Sequence, residues 1–174
     1  FYSWTNTSFV NFTKKITENF TFLFELPLGY QKYADSSFST YEDNKTGIVF
    51  SPSLMSLWNV NGYSVNSGIG YSTVSSRGIN YKTRGYSLLA GVTKAIFWGM
   101  SAKINGAFTQ TSYFQNTSRR RDKRGDLSLG FSKPLPVDPN YVVSLESVQS
   151  WNDSTVDTAR YDRSTVLINM NYSF

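Results

Sequence analysis

The feature that most constrains the fold of this chain is an alternation of large and small side chains with a period of two. Between Phe20 and Tyr30, Phe, Leu and Tyr occupy every even position, and mostly smaller or polar residues occupy the odd ones. A period of two places all the even residues on one face of a β-strand. The pattern predicts about nine strands and no helix: it repeats clearly at 166–174, and weaker or less regular versions of it lie at 2–14, 47–57, 63–72, 86–93, 102–109, 127–132 and 141–146.

The composition favours strands that face lipid over a soluble sheet. Charged residues make up 17% of the chain and aromatic residues another 17%, whereas a typical soluble domain carries about 25% charged residues. No apolar stretch approaches the roughly 20 residues that a transmembrane helix needs, but a barrel strand needs only about 10 residues of alternation.

The predicted connections between strands fall into two classes that alternate along the chain. Outer-membrane barrels have this asymmetry, with tight periplasmic turns and longer external loops. We therefore predict an all-β fold, an antiparallel up-and-down transmembrane β-barrel of about 8–9 strands, with residues 1–174 in a single domain. The short connections lie near 15–19, 58–62, 94–99 and 134–140, and the longer ones at 33–46, 74–84, 115–125 and 152–162.

An odd strand number needs an explanation, because single-chain bacterial barrels have even numbers of strands. Residues 1–14 lie outside the barrel, or an N-terminal portion is missing, or the count between 47 and 73 is wrong. We favour a missing N-terminal portion, which makes this chain part of a larger barrel. The small residues at the inward positions also favour a wide, water-filled or plugged lumen, because narrow barrels fill their interior with side chains.

The C-terminal sequence RYDRSTVLINMNYSF resembles the last strand of bacterial outer-membrane β-barrel proteins, which ends in Phe with hydrophobic residues at every second position before it. The hairpin from SLGFSKPLP to WNDSTVDTARYDRS is also similar to those of porin-like barrels and of barrel domains of secretion or polysaccharide-export proteins. The resemblance implies a bacterial outer-membrane location and recognition by the barrel-assembly machinery. The residues that carry this assembly signal are Val166, Ile168, Met170, Tyr172 and Phe174.

Three charged residues fall at positions that the alternation assigns to the lumen: Glu25, Lys103 and Glu146. A Lys or Arg facing lipid near the midplane costs about 2–4 kcal/mol, so these side chains are expected to line the lumen. They form an interior ion pair or line a permeation path, and which of them touch depends on the strand register.

A basic cluster falls within the predicted 115–125 loop and comprises Arg119, Arg120, Arg121, Lys123 and Arg124. One interpretation is an external loop that binds lipopolysaccharide phosphates or gathers anionic solutes. The other is an exposed loop kept soluble by its charge, with Asp122 and Asp126 partly neutralising it. A basic stripe across a folded face, as in nucleic-acid-binding proteins, is not predicted.

Aromatic residues beside the predicted turns are typical of the girdles at membrane interfaces. They are Trp58, Tyr63, Tyr86, Trp98, Tyr141 and Tyr172, with Trp151 beside the 152–162 connection.

The sequence offers no group that marks an enzyme. His and Cys are absent, so no Ser–His pair exists to activate a nucleophile, and we expect neither catalysis nor a metal or cofactor. A Ser–Lys pair is formally possible, but nothing marks one. We predict an outer-membrane channel or translocation pore that passes small solutes, an exported polymer or a protein. The alternative is an outer-membrane structural or adhesion scaffold whose loops bind a partner protein, surface polymer or lipopolysaccharide.

Overall fold

A computed structural model of the chain describes residues 3–33, 44–114, 119–136, 138 and 140–172. Within these residues the only helical elements are three single turns of 3-10 helix, at 79–81, 97–99 and 157–159. Everything else of regular structure is strand. The strands are β1 (Ser3–Thr17), β2 (Phe20–Tyr33), β3 (Gly47–Phe50), β4 (Ser53–Val60), β5 (Tyr63–Ser76), β6 (Thr83–Ala95), β7 (Ser101–Tyr113), β8 (Arg121–Pro134), β9 (Tyr141–Ser154) and β10 (Tyr161–Tyr172).

All ten strands form one antiparallel sheet in which each strand position pairs with its neighbours in sequence. The all-β, up-and-down architecture predicted from the alternation is therefore confirmed. β3 and β4 share a single position, since both pair with β2 on one side and with β5 on the other. Pro52, which has no N–H to donate to the ladder, separates them.

The sheet has nine strand positions, as the alternation predicts. Residues 3–17 are a strand of this sheet, so the interpretation that the N-terminal segment lies outside it is wrong. The irregular segment 47–57 is the interrupted position of β3 and β4. Within the described residues β1 pairs only with β2, and β10 pairs only with β9. Because the number of positions is odd, these two edge strands run in the same direction.

The two ends of the sheet differ less in connection length than the sequence suggested. The connections at 18–19 and 61–62 are tight, and Asn61 and Gly62 both have positive φ, 50° and 78°. Asn-Gly is the preferred pair for such a hairpin turn, because both residues tolerate positive φ. At the opposite end, however, 77–82 and 155–160 are no longer than 135–140. Strict alternation of short and long connections was wrong: the strands continue into polar sequence and shorten the predicted loops.

The register sorts the side chains onto two faces. One face, here called the apolar face, carries the even-numbered residues of β1 (as far as Lys14), β2–β4, β6, β7 and β10, and the odd-numbered residues of β5, β8 and β9. The other residues form the polar face. Large apolar side chains dominate the first, and Ser, Thr, Asn, Gly and charged residues dominate the second.

Burial in this chain is inverted relative to that of a soluble protein. No apolar residue among those described is buried, whereas several Ser, Thr, Asn and Asp side chains are. Phe22 and Phe24 are each 37% exposed, and Ile168 is 76% exposed. A monomeric soluble protein rarely exposes an apolar surface this extensive, so the apolar face requires a nonaqueous neighbour.

Aromatic pairs lie on the apolar face near both ends of the strands. At the end that carries the tight turns, Phe20 packs edge-on to Trp58 at 5.2 Å, and Tyr141 lies 4.5 Å from Tyr172 between ring centroids. Near the other end, the pairs are Tyr71 with Tyr86 at 5.3 Å and Trp4 with Tyr30 at 6.2 Å. Trp98 lies in the 96–100 connection and is 80% exposed. The described part of the chain contains no helix long and apolar enough to cross a membrane.

Candidate functional site

The polar face of β7–β10 holds most of the charged groups that face this side of the sheet. Lys103 on β7 and Glu146 on β9 both lie opposite Gly130 on β8. Nζ of Lys103 is 3.3 Å from Oε1 of Glu146, so the two side chains form an ion pair across the intervening strand. Gly130 presents no side chain between them: a Cβ there would stand 3.6 Å from Cε of Lys103 and 3.7 Å from Cγ of Glu146.

Glu25 also lies on the polar face, but at a different place. It is on β2, where its carboxylate accepts a hydrogen bond from the Ser53 hydroxyl at 3.3 Å. The structure therefore brings two of the three predicted lumen-lining residues together and leaves the third apart. All three are on the face that the alternation assigned to them, and whether that face lines a lumen stays a prediction.

The basic cluster is not a loop, and its predicted location in the 115–125 connection was wrong for three of its members. Arg121, Lys123 and Arg124 belong to β8, which pairs from its first residues with β7 and β9. Arg119 and Arg120 precede the strand. The sequence did not predict a strand at these charged residues, because the hydrophobic alternation covers only the later part of β8. The hydrogen bonds to β7 and β9 nevertheless extend through the charged part.

Two arginines of the cluster form bidentate ion pairs along the polar face. Arg120 donates to both carboxylate oxygens of Asp122, with the closest contact 2.6 Å. Arg124 donates in the same way to Asp126, at 2.9 and 3.0 Å. The hydrogen bonds to Asp122 raise the pKa of the Arg120 guanidinium, which lies in the connection before β8. Such paired charge-assisted bonds hold both partners in a fixed orientation.

β9 completes these pairs with hydroxyl groups. Ser154 donates to Asp122 at 2.6 Å, and Ser150 donates to Asp126 at 2.5 Å. Ser150 and Ser154 are each 2% exposed, so buried hydroxyl groups fix the two carboxylates in place. The two pairs form a row of alternating charges, here called the β8 ladder: Arg120 just before β8, and Asp122, Arg124 and Asp126 on it. Serines of the neighbouring strand β9 hold both carboxylates.

An open cleft of about 670 Å³ lies against this ladder on the polar face. Arg160, in the connection between β9 and β10, borders it and donates to the backbone carbonyl of Ser154 at 2.7 Å. Arg160 also lies 3.0 Å from the Asp157 carboxylate. The cleft is polar and charged; it is lined by Thr109, Thr111, Arg120, Asp122, Arg124, Asp126, Asn152, Thr158, Ala159, Arg160 and Tyr161.

Sequence reasoning missed part of this arrangement. Asp122 and Asp126 were treated as partial neutralisation of a loop, and Ser150, Ser154 and Arg160 were not identified at all. The spacing Arg120-x-Asp122 and Arg124-x-Asp126 was an available signal, because residues two apart in a strand share a face. The contribution of β9 required the register.

The residues of the predicted assembly signal lie on one face of an edge strand. Val166, Ile168, Met170 and Tyr172 project from the apolar face of β10 and are 66%, 76%, 64% and 45% exposed. Phe174 lies outside the described residues. Recognition of this strand by assembly machinery stays a prediction. No group of three or more acidic, His or Cys side chains within the described residues is placed to hold a metal ion.

Comparisons with known proteins agree with this architecture. The sequence matches no protein-family model and no curated protein. Its structure is similar to the crystal structure of OccAB3 from Acinetobacter baumannii, with a TM-score of 0.58 at 14% sequence identity. The similarity covers 98% of this chain and 48% of OccAB3, so the chain spans about half the length of that protein. At this identity the likeness concerns the fold alone: the chain forms an antiparallel up-and-down sheet like the wall of a porin-like β-barrel.

Proposed function

We propose that this chain forms part of the wall of an outer-membrane channel, in which the apolar face contacts lipid and the polar face lines an aqueous path. The observation that carries the proposal is the inverted burial: apolar side chains are exposed on one face, while fixed ion pairs occupy the other. A lipid neighbour on the first side and water on the second satisfy both faces.

The dimensions of the apolar face support this placement. Tyr141 and Trp151 lie on that face of β9 near its two ends, a rise of about 34 Å along the strand. At a strand tilt of about 40°, this corresponds to about 26 Å along the membrane normal, close to the apolar band of about 25 Å in outer-membrane barrels. The rings would then lie at the two interfaces, where aromatic side chains are enriched.

The similarity to OccAB3 supports the same function, because OccAB3 is an outer-membrane porin. The charges of the polar face suit the passage of hydrophilic solutes rather than apolar ones. Each acid of the β8 ladder is matched by a base, Lys103 is matched by Glu146, and Arg163 adds a further cationic group on the same face. Under this proposal the chain has a passive role and catalyses no reaction.

Conductance in planar lipid bilayers tests the proposal. Insertion of the purified protein is expected to produce discrete, ohmic current steps in a simple salt solution. Glu146→Gln and Lys103→Gln variants provide the control, since steps that arise from the pore itself must change their ion selectivity with these side chains. The proposal would be contradicted by a closed barrel that contains this wall, inserts into the bilayer and leaves it electrically silent.

A further inference from the structure

The basic cluster at the start of β8 is divided between the two faces of the sheet. Arg124 points to the polar face, where Asp126 neutralises it, and Arg120 pairs with Asp122 on the same side. Arg121 and Lys123 lie at odd positions of β8 and point to the apolar face. The cluster therefore presents paired charges on the polar face and separate charges on the apolar face.

A third cation joins Arg121 and Lys123 on the apolar face. The register places Arg84 of β6 and Arg121 of β8 on either side of Ser112 of β7. Adjacent strands are about 4.8 Å apart, so the backbones at Arg84 and Arg121 are about 10 Å apart, and Lys123 is about 7 Å further along β8. We call Arg84, Arg121 and Lys123 the basic rim patch.

The charges of the basic rim patch are not neutralised within the sheet. All three residues are exposed, and none of them forms an ion pair with any residue in the described ranges. Arg84 lies over the ring of Phe114 at 4.8 Å, which leaves its charge uncompensated. Asp153, the nearest acid by register, lies opposite Lys123 but is 3.5 Å from Arg160.

Along the apolar face, the side chains that follow the basic rim patch change in type in the same order as the layers of a membrane leaflet. On β8 the apolar face carries Arg121 and Lys123 and then Gly125, which is covered by the indole of Trp151. Two leucines and a phenylalanine follow, at 127, 129 and 131. On β6, Arg84 is followed by Tyr86, Leu88, Ala90 and Val92. Both strands pass from cation to aromatic ring to hydrocarbon, the sequence of headgroup, interface and acyl region.

We infer that the basic rim patch binds the phosphate groups of an anionic lipid whose acyl chains lie along the apolar face. Guanidinium and ammonium groups donate charge-assisted hydrogen bonds to phosphate oxygens, and exposed Leu88 and Leu127 offer the contact for the chains. The inference rests on the proposed contact between the apolar face and lipid, and it names the lipid chemistry at one rim of that face.

Lipid retention tests the inference. The purified protein in a neutral detergent is titrated with dioleoyl phosphatidylglycerol or with dioleoyl phosphatidylcholine, and bound lipids are counted by native mass spectrometry. The wild type is expected to retain the anionic lipid preferentially. Arg84→Gln/Arg121→Gln/Lys123→Gln should lower that association about tenfold or more and leave phosphatidylcholine binding unchanged.

The matched control is Arg77→Gln/Arg119→Gln/Arg163→Gln, which removes three cations from the same end of the sheet but none from the patch and leaves Arg160 paired with Asp153. It should retain the anionic lipid as the wild type does. Equal loss in the two triple variants would overturn the inference, because net charge alone would then explain the binding. Glycerol 3-phosphate at equal concentration should not compete; full competition would show a free-anion site and also overturn it.

The conductance measurement separates this inference from the proposed function. The patch variant is expected to form channels with wild-type conductance, since the patch does not face the aqueous path. A silent wild type that still prefers phosphatidylglycerol through these residues would refute the channel and retain the lipid site. A conducting wild type whose lipid preference survives the patch substitutions would refute the lipid site alone.

Discussion

Lys103 and Glu146, two strands apart, form an ion pair over Gly130, with Nζ of the lysine 3.3 Å from the glutamate carboxylate. The absence of a side chain on β8 at this point lets the two charges meet across the intervening strand. The Lys103 side chain is 42% exposed and that of Glu146 is 24% exposed. At such exposure an ion pair contributes little to stability, about 0.2–1 kcal/mol, so its main effect is on the field above the polar face.

Neutralising one partner of this pair should change ion selectivity more than it changes stability. Glu146→Gln leaves the lysine uncompensated and is expected to shift the reversal potential in a salt gradient towards anion selectivity. Lys103→Gln should shift it in the opposite direction, and the exchanged pair Lys103→Glu/Glu146→Lys should lie near the wild type. Identical reversal potentials in all four proteins would show that the pair does not face the conduction path.

The packing of Trp151 on Gly125 makes a prediction about the apolar face. A Cβ at position 125 would stand 2.1 Å from Cζ2 of the indole, so Gly125→Val must displace the ring. We expect a loss of about 1–3 kcal/mol in the free energy of unfolding, typical of overpacking, and a shift in the emission of Trp151. Gly106 on β7 has no atom within 4 Å of the corresponding position, and Gly106→Val should be nearly neutral. A comparable loss in both variants would rule out this contact as the cause.

The sequence predicts the strands of this sheet better than it predicts the site. The period-two alternation is a local property, so segments such as 20–30 and 166–174 identify strands and faces by themselves. The predicted loops at 74–84 and 115–125 extended into strands, because polar residues beyond the apolar band carry no alternation. Their strand conformation comes from hydrogen bonds to neighbouring strands.

Contacts between strands depend on register, which no single segment contains. That Lys103 meets Glu146, or that Ser154 holds Asp122, follows from how β7, β8 and β9 align along their whole length. The Arg124-x-Asp126 pair on β8 is the exception, since residues two apart share a face in any strand. The division of the basic cluster between the two faces was also available from the numbering, once the cluster was placed in a strand.

A charge introduced at one level of the sheet should cost much more on the apolar face than on the polar face. Leu88 on β6 points to the apolar face and pairs with Phe108 on β7. Ala107, the residue before Phe108, lies at the same level and points to the polar face. Leu88→Arg is expected to cost about 2–4 kcal/mol for folding into a bilayer, because its guanidinium faces acyl chains. Ala107→Arg should cost much less, since its charge stays in water beside Asp126. Leu88 is already 55% exposed, so a negligible cost for Leu88→Arg would mean that water, not lipid, covers the apolar face.

The most direct measurement is a nitroxide scan of β6 in lipid bilayers. The chain contains no cysteine, so single cysteines introduced at positions 85–92 take the label without background. Accessibility to molecular oxygen is expected to peak at 86, 88, 90 and 92, and accessibility to a water-soluble nickel complex at 85, 87, 89 and 91. Equal access of the nickel complex to both sets of positions would contradict the account.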